Sequence, residues 1–158
     1  MRQKDIYFMP LGGAQSVGRS CYYLRLGQSN ILLDCGLQRI NGATCSPDFR
    51  SLLTSQFMES MQQLDHVYIS HAHTDHVGYL PQLMQMAPQA SVYMTLQTKQ
   101  LAEYRLAANS SKQGAVEASR LLSNVAPVNY LQKIKQRDYT VTFFPAGHIP
   151  VSYTHLTL

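Results

Sequence analysis

Short apolar runs alternate with polar, glycine-containing segments along the first third of the chain. Apolar runs bounded by turn residues favour β-strands, which predicts strands at residues 6–11, 20–26 and 30–34. Residues 26–30 contain glycine, serine and asparagine and are predicted to form a hairpin connection. Residues 37–47 are predicted to be a loop, with Asn41-Gly42 as a turn signal.

Helical spacing begins after Pro47. Apolar residues then recur every three or four positions, which predicts a helix over residues 49–63. The same reasoning predicts further helices at 76–86, 96–110 and 115–123, alternating with strands at 67–70, 91–94 and 139–144. This alternation indicates an α/β fold with functional loops at the strand ends. A chain of 158 residues with 45% hydrophobic content can bury one core.

A cluster of potential metal ligands follows the predicted strand at 67–70. Residues 71–76 read His-Ala-His-Thr-Asp-His, which places three imidazoles and one carboxylate within six positions. Imidazole nitrogens and carboxylate oxygens are the ligands of hydrolytic zinc sites, which keep one coordination position open for water. The alternative is a histidine-rich surface turn. We interpret the hexapeptide as part of a metal site.

Two other polar residues also follow apolar, strand-like segments. Asp34 is the last residue of the predicted strand 30–34, and His148 comes after the strand 139–144. Adjacent strands would present both residues and His71 on one rim of a sheet. Loops braced by a rigid sheet hold their side chains with little freedom, which suits a reactive metal centre.

The hexapeptide and its flanks resemble a known family. His-x-His-x-Asp-His after a strand is similar to the metal-binding signature of the metallo-β-lactamase superfamily. The segments at 11–22, 32–36, 77–81 and 145–148 resemble, in the same order, motifs of its β-CASP branch, which contains RNA-processing nucleases. The resemblance covers about residues 5–149. It implies an α/β metallo-β-lactamase αββα sandwich, of which residues 1–149 would be the N-terminal part only.

The ending of the chain departs from the family pattern. Residues 150–158 match nothing in the family, and we expect them to come from a truncated or misassembled reading frame. In the family, an aspartate that bridges two metals and a distal histidine come later in the chain. We therefore expect the chain to be an incomplete fragment with exposed sheet edges and apolar surface.

The resemblance also implies roles for individual residues. The expected metal ligands are His71, His73 and His148 for one ion, with Asp75 and His76 for a second. Asp34 and Asp75 are the expected catalytic residues. Asp34 would act as an acid near the metals that orients a ligand or water, and its alternative is a turn-capping role before Gly36.

The resemblance implies hydrolysis with two zinc ions per complete site. Such ions lower the pKa of water from about 15.7 toward 7, and the resulting hydroxide would attack phosphorus. The expected activity is that of a metal-dependent ribonuclease or phosphodiesterase. Two alternatives remain open: hydrolysis of a thioester, lactone or β-lactam, and a metal-binding scaffold without catalysis.

The net charge of +4 is unevenly placed. Residues 96–158 carry seven basic and three acidic side chains, which accounts for the whole excess. Lys133, Lys135 and Arg137 would share one face of an extended segment and attract a phosphodiester backbone. A solvated edge is the alternative. We expect an RNA substrate, with DNA as a second possibility.

The cysteines and the apolar runs bear on cellular location. Cys21, Cys35 and Cys45 are odd in number and lack Cys-x-x-Cys spacing, so a disulfide framework is not expected. Cys35 is expected to be a small buried residue rather than a ligand, because neighbours in a strand point to opposite faces. No run approaches the 18 apolar residues of a membrane span. We expect a cytoplasmic protein.

Overall fold

The computed structural model describes residues 5–148 and 152–157. The strands are β1 (Ile6–Gly12), β2 (Cys21–Leu26), β3 (Ser29–Leu33), β4 (Gln38–Ile40), β5 (Ala43–Cys45), β6 (His66–Tyr68), β7 (Ser91–Tyr93), β8 (Lys133–Lys135), β9 (Thr140–Pro145) and β10 (Ser152–Thr157). The α-helices are α1 (Phe49–Leu53), α2 (Thr74–Val77), α3 (Leu80–Met86), α4 (Leu96–Ala108) and α5 (Lys112–Ser123). A 3-10 turn spans Met61–Gln63.

A five-stranded mixed sheet organises the fold. Its strand order is β1-β2-β3-β6-β7, with β1, β2 and β3 antiparallel and β3, β6 and β7 parallel. Leu32 pairs with Val67 in the parallel register of β3 and β6. The carboxyl ends of β3 and β6 therefore meet at the same edge, where Asp34 and residues 71–76 follow.

The two faces of this sheet bury different partners, because successive strand residues point to opposite sides. Leu32 and Val67 pack in the larger core, together with buried residues from all five helices. Ile31 and Tyr68 face the other way, onto a three-stranded sheet of order β10-β9-β8. Among the described residues, no helix covers the outer face of that small sheet. Helices, large sheet and small sheet are three of the four layers of an αββα sandwich, as expected for its N-terminal part.

Two of the predicted helices differ from the observed ones. The helix predicted at 49–63 stops at Leu53, because the Thr54 hydroxyl donates to the Arg50 carbonyl and the Ser55 hydroxyl to that of Leu52. Serine and threonine compete with helical hydrogen bonding in this way. The helix predicted at 76–86 is two helices, α2 and α3, and Pro81 lies in the first turn of the second, where proline is well tolerated.

Other differences concern strands. The predicted loop at 37–47 contains the hairpin of β4 and β5, with Asn41 and Gly42 at positive φ in its turn. Residues 152–157 form β10, antiparallel to β9, which the sequence pattern did not predict. The proposed family boundary at 149–150 lies outside the described residues. The outer strand β1 exposes Ile6 by 52% and Phe8 by 59%, in keeping with the expected apolar surface.

No helix in the described part of the chain is long and apolar enough to cross a bilayer.

Candidate metal centre

Three histidines converge beyond the carboxyl ends of β6 and β9. His71 and His73 follow β6, and His148 follows β9. One ligand nitrogen from each histidine lies within 4.8 Å of the others. His71 Nε2 is 2.9 Å from His73 Nδ1, and the His148 ring centre is 5.2 Å and 5.1 Å from those of His71 and His73. The fold thus joins two motifs that are far apart in sequence.

This donor set fits a divalent metal ion. A zinc–nitrogen bond measures about 2.0–2.1 Å, so two nitrogens on one ion lie up to about 4 Å apart. Burial and the neighbouring His76 lower the pKa of His71 to about 4. Burial and the charge of Arg105 lower the pKa of His73 as well. Both imidazoles are therefore neutral at pH 7, the form in which histidine binds metals.

The hydrogen-bond network assigns the ring nitrogens of His71. The Ser70 hydroxyl lies 2.8 Å from Asp34 Oδ2 and donates to it. His71 Nδ1 is 2.9 Å from the same hydroxyl oxygen and donates its proton there. The lone pair of His71 is consequently on Nε2, which faces His73. Ser70 was missed by the sequence analysis, although it immediately precedes the hexapeptide.

Asp75 and His76 lie beside the three histidines as a second group. His76 Nε2 is 3.6 Å from Asp75 Oδ2, and the ring centres of His76 and His71 are 4.0 Å apart. The Asp75 side chain is 38% exposed, so its carboxylate is accessible to a small ligand.

Asp34 braces both the loop and His76. Its buried carboxylate accepts hydrogen bonds from the Ser70 backbone N–H at 2.7 Å and from His76 Nδ1 at 2.8 Å. Burial alone lowers the pKa of His76, but the hydrogen bond and charge of Asp34 outweigh it and raise that pKa. With Nδ1 engaged by Asp34, the other ring nitrogen, Nε2, lies 3.5 Å from the Ser20 hydroxyl and 3.6 Å from Asp75 Oδ2.

The backbone of Asp34 is strained. Its φ of 61° is in the left-handed region, which costs a non-glycine residue about 1–2 kcal/mol. The Asp34 N–H donates to the Tyr68 carbonyl at 2.9 Å, and the carboxylate bonds described above add to this restraint. Strain of this kind persists where the surroundings over-determine it, typically at functional sites.

Gly36 allows the Asp-Cys-Gly segment to pass directly against the metal loop. A Cβ at Gly36 would lie 1.7 Å from the Asp75 carbonyl oxygen. The Cys35 N–H donates to the His76 carbonyl at 2.8 Å, and the Ser20 N–H donates to that of Asp75 at 2.7 Å. Main-chain hydrogen bonds thus tie the loop to two of the motifs that precede it in sequence.

Cys35 is buried in the larger core, as predicted. Burial, followed by the adjacent Cys21 thiol, raises the pKa of the Cys35 thiol. All three cysteines are free thiols.

Sequence comparisons place these features in a wider context. A family model described as a beta-lactamase superfamily domain matches residues 29–152. The chain is 34% identical over 157 residues to the Integrator complex subunit 11 homolog of Dictyostelium discoideum, covering 91% of this chain and 21% of that protein. It is 31% identical over 150 residues to Probable RNase MJ4 of Methanocaldococcus jannaschii, covering 89% of this chain and 33% of that protein. The chain therefore spans between a fifth and a third of the length of these curated relatives. The matches confirm the resemblance to the RNA-processing branch.

Solved structures show the same fold. The chain is similar to BJP-1, a subclass B3 metallo-β-lactamase of Bradyrhizobium japonicum, with a TM-score of 0.64 and 17% identity. The match covers 98% of this chain and 55% of that one. This likeness supports the predicted metallo-β-lactamase fold.

Proposed function

Because the chain belongs to the beta-lactamase superfamily, we propose that it is the N-terminal part of a metal-dependent hydrolase that cleaves RNA. The convergence of His71, His73 and His148 carries the proposal, because three imidazoles gathered from two distant segments suit a metal ion. The named relatives supply the reaction class, since one is a probable RNase.

We assign the ligands as the family resemblance implies. His71, His73 and His148 hold one ion, Asp75 and His76 contribute to a second, and zinc is the proposed metal. A divalent metal supplies activation of water and stabilisation of charge on the phosphate oxygens. Two zinc ions are proposed for a complete site.

Three side chains have separate roles in the proposed reaction. Asp34 fixes the ring of His76 through the 2.8 Å hydrogen bond to Nδ1. Asp75, with its partly exposed carboxylate, accepts the proton of the attacking water at one Oδ atom. Ser70 orients His71 through Nδ1. These contacts hold the reactive groups in place before the substrate arrives.

An RNA substrate is consistent with the charge of the surface. Lys133, Lys135 and Arg137 are exposed along the edge strand β8 and the turn after it, while Ile134 and Gln136 are half-buried. Lys133 and Lys135 therefore share one face of β8, and together with Arg137 in the turn they would attract a phosphodiester backbone. We propose that the protein acts in the cytoplasm.

Zinc analysis and a substrate comparison test this proposal. The purified chain should contain zinc by elemental analysis, and the double variant His71→Ala, His73→Ala should contain less. His66→Gln is the control, because His66 lies outside the cluster. The longer protein of which this chain is the N-terminal part should cleave a labelled RNA in a zinc-dependent manner. Chromogenic β-lactam hydrolysis without RNA cleavage would contradict the proposed substrate, and a parent chain that binds no zinc would contradict the metal centre.

A further inference from the structure

A cavity of about 560 Å³ borders the metal centre. Its walls come from the glycine-rich loop at Gly18, from the β4–β5 hairpin, from α2 and from the C-terminal end of α4. Asp75 belongs both to this cavity and to the group beside His76. A molecule in the cavity would therefore lie next to the proposed reaction centre.

Two arginines line the cavity. Arg39 comes from the β4–β5 hairpin and Arg105 from α4. Within residues 5–148 and 152–157, neither guanidinium forms an ion pair or a hydrogen bond. By contrast, Arg120 on α5 is paired with Glu117 at 2.8 Å. Arg105 is half-buried and close enough to the centre for its charge to affect His73.

The chemistry of the lining selects the kind of ligand. Each guanidinium presents five N–H donors in a planar fork that matches phosphate oxygens. Neutral polar side chains line the same cavity, namely those of Gln38, Thr44, Thr74, Gln82, Asn109 and Ser110. Val17, which is 88% exposed, adds apolar surface at the same cavity. Cationic forks, neutral polar groups and a small apolar surface together suit a nucleotide, with its phosphate, sugar and base.

We propose that this cavity holds the nucleotide adjoining the scissile phosphate of a single-stranded RNA, with Arg39 and Arg105 binding its phosphate group. The inference rests on the proposed RNA cleavage and adds a location for the substrate strand. In this arrangement both arginines are positioning residues. They bind the neighbouring phosphate and so hold the scissile one beside Asp75.

Binding of a fluorescein-labelled single-stranded RNA to the zinc-loaded protein tests the inference. Dissociation constants are measured by fluorescence anisotropy over a range of salt concentrations for the parent, Arg39→Gln, Arg105→Gln and the double variant. Because the two arginines are proposed to bind one phosphate, the double variant should reduce the slope of log affinity against log salt by about 0.7. We expect the double variant to bind RNA at least about tenfold more weakly.

Matched variants separate a lost contact from a damaged fold. Arg50→Gln removes an exposed arginine of α1 outside the cavity and should retain the affinity of the parent. Arg105→Lys keeps the charge but loses the planar set of guanidinium donors. It should therefore preserve the slope of log affinity against log salt while weakening binding. Zinc content, measured in every sample, should equal that of the parent.

The outcomes distinguish this inference from the function on which it rests. An unchanged salt slope in the double variant, with zinc retained, would overturn the nucleotide site and leave the metal-dependent hydrolase intact. A zinc-loaded parent that binds no RNA would overturn both the site and the RNA substrate. Equal weakening by Arg50→Gln would show a general charge effect and would also overturn the site.

Discussion

Two polar clusters, both containing histidine, lie on and around β6, and their hydrogen bonding differs. In the metal centre, His71 Nε2 and His73 Nδ1 approach to 2.9 Å. In the second cluster, which we call the tyrosine cluster (His66, Tyr68, Tyr93, Gln136 and Tyr139), donors and acceptors are matched. The Tyr139 hydroxyl is 2.7 Å from His66 Nδ1 and 3.0 Å from the Tyr68 hydroxyl, and Gln136 donates to Tyr68 and Tyr93.

The comparison shows how to interpret a half-buried histidine. A closed network such as the tyrosine cluster satisfies its own polar groups and links the two sheets, so it contributes to stability. Ligand nitrogens that converge on one another leave lone pairs for a cation to satisfy. The contact of His66 with the Tyr139 hydroxyl is that of a structural histidine.

The largest loss of stability is expected from a substitution at Gly36, where the Asp-Cys-Gly segment is in close contact with the metal loop. Gly36→Ala places a Cβ 1.7 Å from the Asp75 carbonyl oxygen, so the backbone must move and the metal loop with it. We expect a loss of about 3 kcal/mol in the free energy of unfolding, together with lower zinc content. Urea denaturation and elemental analysis measure the two quantities.

Gly42→Ala is the matched control for steric crowding. Gly42 also has a positive φ, but nothing lies within 4 Å of its added Cβ. Only the backbone strain of about 1 kcal/mol is then expected. Equal losses in the two variants would show that the contact at Asp75 is unimportant.

The next largest effect is expected on zinc affinity rather than on stability, and it follows from a substitution of Asp34. Asp34→Asn keeps the shape of the side chain and tolerates the left-handed backbone, but it removes the charge that raises the pKa of His76. Zinc affinity should fall about 10- to 100-fold, as is typical when an orienting partner is lost. A competition titration with a chromogenic chelator measures this affinity. A variant with the parent's affinity would contradict the orienting role.

A substitution in the tyrosine cluster should lower stability and leave zinc binding unchanged. Tyr139→Phe removes the hydroxyl that lies between His66 and Tyr68. We expect a loss of about 1–2 kcal/mol in the free energy of unfolding, because buried polar groups lose their partner. Zinc content should not change. A loss of zinc without a loss of stability would invert the assignment of the two clusters.

The smallest expected effect is the contribution of His66 to the pH dependence of stability. Burial lowers the pKa of His66 in the folded protein, only partly opposed by Asp65, whereas the unfolded value is about 6.5. The unfolded chain therefore takes up the proton first, and stability falls as the pH drops below about 6.5 toward the folded pKa. His66→Gln should lose less stability than the parent between pH 8 and pH 5. Urea midpoints of both proteins at the two pH values test this; parallel losses would argue against the lowered pKa.

Local patterns predicted the features that depend on local sequence. The apolar run before His71 identified β6 and the position of the hexapeptide, and the Asn41-Gly42 turn was identified correctly. The order of the family motifs identified His148, which follows a strand that is distant in sequence. The αββα layering followed from the resemblance rather than from periodicity.

The remaining features depend on contacts that periodicity does not record. The end of α1 depends on hydroxyl groups of Thr54 and Ser55, and the strain at Asp34 depends on Tyr68 and Ser70. The arginine-lined cavity combines segments from four parts of the chain. Such contacts become visible only when strands far apart in sequence have been paired.

The separation of the histidines along the chain has a consequence for biosynthesis. His71 and His73 leave the ribosome well before His148. At a translation rate of about 5–20 residues per second, the interval is roughly 4 to 15 s. During that interval the nascent chain displays only part of its imidazole set, and the three-histidine cluster closes when β9 joins the fold. Metal capture by this cluster therefore reports that the second sheet has assembled.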